Sequence, residues 1–359
     1  MDSAAWARDD GQVTFAPHSL NLPIIQAPMA GGASTPALAA AVSQAGGLGF
    51  LAAGYKPVDA VAQDIAALRD AAARAPFGVN VFSPPAAAAA PAETVTAYAR
   101  TLAADAERLG ATLGEPRFDD DAYRPKLDLV VRERVPVVSF TFGCPDRDTI
   151  GELHSHDIAV WVTVTDPAEA LEASAAGADA LIAQGTEAGG HRAYFRDDGE
   201  HEEYGVLALV RMLRAQTERP IIATGGLMDG PAIAAVLVAG AAAAQLGSAF
   251  MLCPEAGTSA PHRARLAMPG ATRLTRAFSG RTARGIVNRF MQDHDAAAPC
   301  AYPQVHHLTS PLRAAARAAG DADAVNLWAG QGHVLAREEP AGPLVRRLAA
   351  DAAAALAER

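Results

Sequence analysis

The sequence predicts an α/β protein built on a (β/α)8 barrel, and three observations support this fold class. Short apolar runs alternate with alanine-rich segments of helical character, as expected of βα units and a parallel sheet. Eight such runs are present, the number of strands that closes a barrel. The length of 359 residues leaves room for a barrel of about 250 residues and an appendage. We therefore expect a barrel with an N-terminal lead-in over residues 1–256 and a second, mostly helical region over 257–359.

The predicted elements follow one another in regular order. The strands are predicted over Ile24–Met29, Gly49–Ala53, Gly78–Phe82, Val135–Phe142, Ala159–Val164, Ala180–Ala183, Ile221–Thr224 and Ala243–Phe250. The helices between them are predicted over Pro36–Ala45, Val58–Ala73, Glu93–Leu109 with Tyr123–Arg134, Asp146–His154, Pro167–Ala176, Val206–Gln216 and Pro231–Ala239. Beyond Gly257 the sequence becomes helical and arginine-rich, and it predicts helices over Asp323–Trp328 and Pro343–Arg359.

Composition and charge narrow the class of protein. A formal charge of −10 and the absence of a basic stripe argue against a nucleic-acid partner. The three cysteines are far apart and form no CxxC pair, which favours a reducing, cytoplasmic setting. The N-terminus lacks the pattern of a secretory signal, so no export is expected. Two uncharged stretches, residues 11–55 and 230–253, are interrupted by glycine or proline, and we expect barrel core there and no membrane span.

A glycine-rich loop carries the strongest functional signal. The apolar run Ala180–Ile182 leads into Ala183-Gln-Gly-Thr-Glu-Ala-Gly-Gly-His191. Loops at the carboxyl ends of barrel strands hold the ligands in this fold. The ordinary pKa of histidine suits proton abstraction or charge stabilisation near neutral pH. The sequence therefore predicts that His191 points into an active site, whereas an isolated histidine is more often structural.

Glycines also follow the seventh and eighth predicted strands. Gly225 and Gly226 come after Ile221–Thr224, and Gly247-Ser248 lies in the last predicted strand. A single Gly-Gly is usually only a tight turn. In barrels, however, this pair of loops often binds phosphate through backbone N–H groups. We expect a phosphorylated cofactor or substrate here. No Rossmann fingerprint and no Walker A loop is present.

Other candidate motifs are weaker. His154-x-His156 and the pair His306-His307 lack the spacing and carboxylate partner of a helical zinc site, so no metal is expected. No G-x-S-x-G elbow marks a nucleophilic serine. Cys144 follows the fourth predicted strand, and its more frequent role would be that of a small buried hydrophobe.

Eight segments spread over most of the sequence carry a resemblance to a known family: Pro23–Ala30, Gly78–Asn80, Ser139–Gly143, Ala183–His191, Ala223–Gly226, Gln245–Ser248, Leu274–Arg281 and Asn326–Gly332. In these segments the chain resembles the nitronate monooxygenase family, class I. This resemblance implies an FMN-binding barrel with a second, largely helical domain. It also implies the oxidation of alkyl nitronates by O2 to a carbonyl compound and nitrite, without NAD(P)H, and hence nitroalkane detoxification with propionate 3-nitronate as the leading substrate.

The resemblance also implies roles for individual residues. His191 would deprotonate a neutral nitroalkane or orient an ionised nitronate, and Tyr302 is a candidate substrate-gating residue. The family motif often has threonine at the position of Ser248, and serine keeps the hydroxyl. The residues implied to contact FMN are Ala27, Pro28, Met29, Asn80, Gln184, Gly189, Gly225, Gly226, Gln245, Leu246, Gly247 and Ser248.

Three alternatives stay open on sequence alone. An NAD(P)H-dependent FMN quinone or enoyl reductase would share the same barrel and glycines. A cofactor-free lyase or isomerase would use the phosphate loops for its substrate. A non-catalytic flavin-binding module would not need His191. The sequence is compatible with a monomer or a homodimer.

Overall fold

The computed structural model describes residues 15–84, 91–199 and 201–358. Most of the expected lead-in and the last residue of the predicted helix Pro343–Arg359 lie outside these ranges. The strands are β1 Ile24–Gln26, β2 Gly49–Ala52, β3 Phe77–Phe82, β4 Val137–Thr141, β5 Ala159–Val164, β6 Ala180–Gln184, β7 Gly190–His191, β8 Ile221–Thr224, β9 Ala243–Leu246, β10 Thr272–Thr275 and β11 Ala283–Ile286.

The α-helices separate the first nine strands, except that β7 follows β6 directly, and they dominate the rest of the chain. They are α1 Pro36–Gln44, α2 Val58–Ala71, α3 Ala92–Thr101, α4 Ala103–Leu109, α5 Tyr123–Arg132, α6 Arg147–Ser155, α7 Pro167–Ala176, α8 Val206–Arg214, α9 Gly230–Val238, α10 Ala260–Leu266, α11 Arg289–His294, α12 Gln304–Ala318 and α13 Ala341–Ala357. Several begin at side-chain caps, as where Asp229 accepts a hydrogen bond from Ala232 N and so opens α9.

Eight parallel strands form the barrel, and the predicted fold class is confirmed. Their order is β1-β9-β8-β6-β5-β4-β3-β2, and a parallel bridge between Ile25 and Leu48 closes the ring between its two ends. Phe50 and Trp161 fill the barrel interior with ring centroids 5.7 Å apart. The opposite strand faces pack against the surrounding helices. Because all eight strands run in parallel, their carboxyl ends meet at one rim.

A second apolar core lies outside the barrel. It joins Val95 and Tyr98 of α3 to Phe278, Phe290 and the buried side of α12. Helix α13, by contrast, packs on α9 and α1 of the barrel. The boundary expected after residue 256 stays a prediction, since segments from both sides of it contribute to both cores.

The structure corrects several predicted elements. The helix expected over Asp323–Trp328 is wrong: only Ala322–Ala324 forms a short 3-10 turn. Beyond it, Leu327 O accepts a hydrogen bond from Ile286 N, and Asn288 Nδ2 donates to Val325 O, so this segment is held against β11. The strand expected over Ala243–Phe250 ends at Leu246 and gives way to a 3-10 turn.

A small antiparallel sheet was also missed. β10, β11 and β7 form it, with His191 paired to Ala283 and Gly190 to Arg284. Gly190 and His191 were predicted to end a loop, and they form strand β7 instead. This pairing clamps His191 between the barrel rim and the second core.

Candidate active site

A cavity of about 660 Å³ opens at the rim where the barrel strands end. This volume lies within the range of small-molecule sites, about 300–1,000 Å³. His191 and all twelve residues expected to contact a cofactor line it: Ala27, Pro28, Met29, Asn80, Gln184, Gly189, Gly225, Gly226, Gln245, Leu246, Gly247 and Ser248. The structure therefore brings every predicted site residue together.

One side of the cavity is made of backbone and uncharged residues. We call it the barrel wall, and it consists of Ala27–Met29, Gly225–Gly226 and Gln245–Ser248. Buried Gln26 and Ser34 shape its first segment: Gln26 Nε2 donates to Ser34 Oγ at 2.9 Å, and Met29 N donates to the same oxygen at 2.8 Å. Neither Gln26 nor Ser34 was predicted from the sequence as part of the site.

Two glycines of the barrel wall have conformations that other residues rarely adopt. Gly225 and Gly226 have φ of +122° and +68°, and a Cβ on Gly226 would lie 2.8 Å from the Cβ of Glu187. The neighbouring Gln245 is buried, and its Nε2 has no hydrogen-bond partner among the described residues. A buried amide without a partner is costly and marks a place where a ligand is expected to bind.

The hydroxyl of Ser248 uses one of its three hydrogen-bonding positions within the described part of the chain. Its Oγ accepts a hydrogen bond from Gly330 N at 2.9 Å, which leaves the hydroxyl proton free to donate into the cavity. This bond also ties the segment around Gly330 to the barrel rim. A Cβ on Gly189 would lie 2.4 Å from Gly330 N, so close backbone approach explains that glycine.

Asn80 and Gln184 differ in what they can offer a ligand. Asn80 Nδ2 donates to Ser139 Oγ and Thr141 Oγ1, both at 2.9 Å, so its carbonyl oxygen is the group left for a ligand. Gln184 is largely committed to the protein. Its Oε1 accepts from Arg192 Nη1 at 2.7 Å and from Ala193 N at 3.0 Å, and its Nε2 donates to His191 O at 3.1 Å. Gln184 thus fixes the strand that carries His191.

The His191 side chain lies at the centre of an aromatic and cationic environment. Its Nε2 is 2.8 Å from Ser279 Oγ, and the ring of Phe142 meets the imidazole edge to face at a centroid distance of 5.6 Å. Burial, helped by the positive charges of Arg281 and Arg313, lowers the pKa of His191 to about 3. The imidazole is therefore neutral at physiological pH and a weaker base than the sequence suggested.

The opposite side of the cavity is polar and cationic. We call it the helix wall, and it consists of His306, Ser310, Arg313 and Arg317, one face of α12 at helical spacing. The sequence analysis considered His306 only as a metal ligand and missed the other three. Their spacing of four, three and four residues was the pattern that could have revealed them.

Arg313 is the most unusual residue of the helix wall. It is buried, and its Nε and Nη2 donate to Thr309 Oγ1 at 3.1 Å, His306 O at 2.9 Å and Ser310 Oγ at 2.8 Å. No carboxylate pairs with it in the part of the chain that the structure describes. Burial lowers its pKa to about 10, so the guanidinium stays charged at neutral pH. Its Nη1 has no hydrogen-bond partner among those residues.

The whole cavity carries net positive charge. Arg313 and Arg317 line it, and none of the described residues that line it is an aspartate or glutamate. The chain as a whole has a formal charge of −10, so this is a local reversal of sign. Such a field attracts anionic ligands and disfavours cationic ones.

Tyr302 lies beside this wall without lining the cavity. Its hydroxyl donates to the Tyr55 hydroxyl at 3.3 Å, and its ring is near those of Phe142 and His191. Tyr55 in turn stacks on His306 at 4.0 Å. Burial raises the pKa of Tyr55 to about 12, so this phenol keeps its proton. The substrate-gating role of Tyr302 stays a prediction.

Sequence comparison places the chain among known proteins. The sequence model of the family described as "Nitronate monooxygenase" matches residues 17–351. A nitronate monooxygenase of Pseudomonas aeruginosa is 42% identical over 352 residues, covering 91% of this chain and 95% of that protein. A probable nitronate monooxygenase of Bacillus subtilis is 36% identical and covers 88% of this chain and 91% of that protein.

The fold is also similar to those of solved structures. A nitroalkane oxidase from Streptomyces ansochromogenes superposes with a TM-score of 0.92 at 52% identity, covering 95% of this chain and 99% of that one. FabK from Thermotoga maritima is more distant, with a TM-score of 0.74 at 26% identity and 95% coverage of both chains.

Proposed function

The chain belongs to the nitronate monooxygenase family and is thus an oxidoreductase that acts on small molecules, and we propose that it is an FMN enzyme that oxidises nitronates with O2. The products would be a carbonyl compound and nitrite. We further propose propionate 3-nitronate, which carries a carboxylate beside the nitronate group, as its substrate. The activity would serve nitroalkane detoxification.

The barrel wall fits FMN. The unpartnered Gln245 Nε2 provides a hydrogen-bond donor for the flavin, and the Asn80 carbonyl oxygen provides an acceptor. The glycine turn at Gly225–Gly226, together with the free hydroxyl proton of Ser248, suits a phosphate group. When bound, FMN would supply the redox chemistry by accepting electrons from the substrate and passing them to O2.

The charge of the cavity favours an anionic substrate. A nitronate is already deprotonated at carbon, whereas a neutral nitroalkane must first lose a proton to a base. With its pKa lowered to about 3, His191 has little driving force for that abstraction at neutral pH. The same positive charges that lower this pKa stabilise a bound nitronate. The role of His191 is therefore to orient the nitronate.

Arg313 supports the choice of a carboxylate-bearing nitronate. Its guanidinium is buried, charged and open at Nη1, with no acidic partner among the described residues. Arginine binds carboxylates through charge-assisted hydrogen bonds in a fixed fork geometry. A substrate carboxylate on Arg313 would leave the nitronate group between the helix wall and the barrel wall, close to His191.

The observation that carries the proposal is this acid-free cationic cavity with a neutral histidine on its wall. The test is to mix the purified protein with propionate 3-nitronate in air and to measure nitrite release and O2 consumption, and separately to record the flavin spectrum with NADH under anaerobic conditions. We expect nitrite from the nitronate and an unchanged flavin spectrum with NADH.

The opposite pattern would overturn the proposal. Rapid bleaching of the flavin by NADH, with no turnover of the nitronate, would assign the chain to the flavin reductases. A colourless protein would show that FMN is not its cofactor. The matched variant His191→Asn should keep FMN and lose most nitronate turnover, because it changes the group that faces the substrate. Full activity of this variant would show that His191 does not orient the nitronate.

The cellular location and the oligomeric state of the protein are also proposals. Within the described ranges, no helix is both long and apolar enough to cross a bilayer. We propose a cytoplasmic enzyme that is a monomer or a homodimer.

A further inference from the structure

Tyr55 connects the barrel rim to the helix wall. It follows strand β2 and lines the cavity, and its ring stacks on that of His306 with centroids 4.0 Å apart and 8° between the planes. Its hydroxyl accepts the hydrogen bond from the Tyr302 hydroxyl, and its ring meets that of Phe82 edge to face at 5.3 Å. The position of Tyr55 therefore fixes how the helix wall packs on the barrel rim.

The backbone of Tyr55 has a conformation that needs support. Its φ is +66°, in the left-handed region that residues other than glycine rarely adopt unless the surrounding structure holds them there. The support comes from a carboxylate 66 residues further along the chain, since Tyr55 N donates to Asp121 Oδ1 at 2.9 Å. No other described residue accepts a hydrogen bond from Tyr55 N.

Asp121 is in turn held by a buried lysine. Lys126 of α5 is buried, and its Nζ lies 2.7 Å from Asp121 Oδ2. Lysine is almost never fully buried without such a partner. One carboxylate oxygen of Asp121 thus faces Lys126 and the other accepts from Tyr55 N, so the ion pair fixes the orientation of the acceptor that Tyr55 needs.

The segment that carries Asp121 also contacts the helix of the helix wall. This segment, residues 110–122, connects α4 to α5. Gly114 N donates to Leu308 O of α12 at 2.9 Å, and a Cβ on Gly114 would overlap His307 O, so the two backbones are in close contact. The same segment therefore contacts α12 at one point and holds the loop after β2 at another.

We propose that Asp121 is a positioning residue that holds Tyr55 in its left-handed conformation and so keeps the helix wall in place for substrate binding. This inference rests on the proposed function and deepens it. The helix wall meets the substrate in the ground state and the transition state alike, so loss of this support weakens substrate binding without slowing the bound complex. FMN would stay bound, because the barrel wall is unchanged.

Two double variants separate the hydrogen bond from the ion pair. Asp121→Asn with Lys126→Met removes both charges and keeps an amide oxygen that can accept from Tyr55 N. Asp121→Gly with Lys126→Met removes both charges and that acceptor. Asparagine and glycine both tolerate the φ of +58° at position 121. A merely structural ion pair would affect the two variants equally, so a difference between them reports on the acceptor.

Steady-state nitrite release from propionate 3-nitronate gives the kinetic test. We expect KM to be about tenfold higher in the glycine variant than in the asparagine variant, with a change in kcat below about twofold, since one hydrogen bond that supports the binding wall is lost. The control Arg124→Met breaks exposed ion pairs with Asp128 and Glu152 and should change neither value. Equal KM in the two double variants would overturn the proposal. Loss of FMN or of the native circular dichroism in the glycine variant alone would do the same, since Asp121 would then support the whole fold.

The position of Tyr55 can also be measured without turnover. In FMN-loaded protein labelled with 3-fluorotyrosine, the 19F signal of Tyr55 reports on the ring that stacks on His306, and its loss in Tyr55→Phe assigns it. We expect the wild-type chemical shift in the asparagine variant and a displaced or broadened signal in the glycine variant. An unchanged signal in the glycine variant would refute the positioning role.

The two proposals can fail separately. If the wild type turns over no nitronate, the proposed function fails, and the 19F signals still test whether Asp121 holds Tyr55. If nitronate turnover is normal and either KM or the Tyr55 signal is the same in both double variants, only the role of Asp121 is refuted.

Discussion

The two walls of the cavity are built in opposite ways. The barrel wall consists of backbone, small residues and one unpartnered amide, and it carries no ionisable group. The helix wall consists of long polar side chains on one face of α12 and includes two arginines and a histidine. Backbone N–H groups suit a bound group of constant shape, whereas arginines suit the recognition of a charged substrate. The comparison supports our proposal that one wall holds the cofactor and the other selects the substrate.

The largest effect is expected from a variant that disrupts the barrel wall. In Gly226→Ala the new Cβ would lie 2.8 Å from the Glu187 Cβ, and the φ of +68° disfavours alanine, so the turn must move and would disrupt the proposed phosphate site. We expect FMN affinity to fall about 100-fold, because hydrogen bonds to a charged group contribute about 1.5–3 kcal/mol each. The ratio of flavin to protein absorbance after gel filtration measures this loss.

The control for this variant is Gly151→Ala on α6, where a Cβ meets no atom within 4 Å and φ is not positive. It should retain FMN at the wild-type ratio. If Gly226→Ala is folded by circular dichroism and still holds its flavin, the barrel wall does not bind the phosphate at this turn.

A smaller effect is expected from the helix wall. Replacing Arg313 by methionine removes the charge and keeps the length of the side chain, so FMN should stay bound. For propionate 3-nitronate we expect KM to rise about 10- to 100-fold with little change in kcat, as for the loss of a charge-assisted bond made equally in the ground and transition states. Steady-state nitrite release at varied nitronate concentration measures both parameters.

Ethyl nitronate provides the internal control, since it has no carboxylate to bind Arg313. Its KM should change less than threefold, well below the tenfold that one charge-assisted bond is worth. A variant that loses both substrates equally would show that Arg313 supports the fold or the nitronate group and does not read the carboxylate.

The difference between the walls also explains what the sequence could predict. Strands such as Ala159–Val164 and Ile221–Thr224 have the predicted bounds, because buried parallel strands are continuous apolar runs bounded by turn residues. The glycines that follow them mark the barrel wall by local pattern alone. Arg313 belongs to α12, whose position at the cavity depends on packing against α3 and α4.

Elements held by distant partners escaped prediction for the same reason. Trp328 bridges to Gly285, and Gly190–His191 pair with β11, nearly a hundred residues away. Gln184 lines the cavity as expected, but the hydrogen bonds that its amide oxygen accepts from Arg192 and Ala193 are not visible in the local sequence. Local sequence shows which residues are polar, but the partners that satisfy them come from tertiary structure.

The smallest expected effect is on how the stability of the protein depends on pH. It tests the contrast between the two walls, because the barrel wall has no ionisable group. Burial, together with the charge of Arg313, lowers the pKa of His306 far below its ordinary value, so the folded protein does not bind a proton there. The unfolded chain binds one below pH 6.5. This part of the stability is therefore complete above pH 6.5 and is lost as the pH falls.

Between pH 7.5 and 5.5 the contribution of His306 amounts to about 1 kcal/mol. The variant His306→Gln keeps a hydrogen-bond acceptor for Arg313. As the pH falls over this interval, we expect its free energy of unfolding to decrease less than that of the wild type, by about the contribution of His306. Urea unfolding of the FMN-saturated proteins at both pH values measures the difference, with His156→Gln on the surface as the control. An equal loss in His306→Gln and wild type would mean that the helix wall admits the proton, and that its cationic charge is not confined to the arginines.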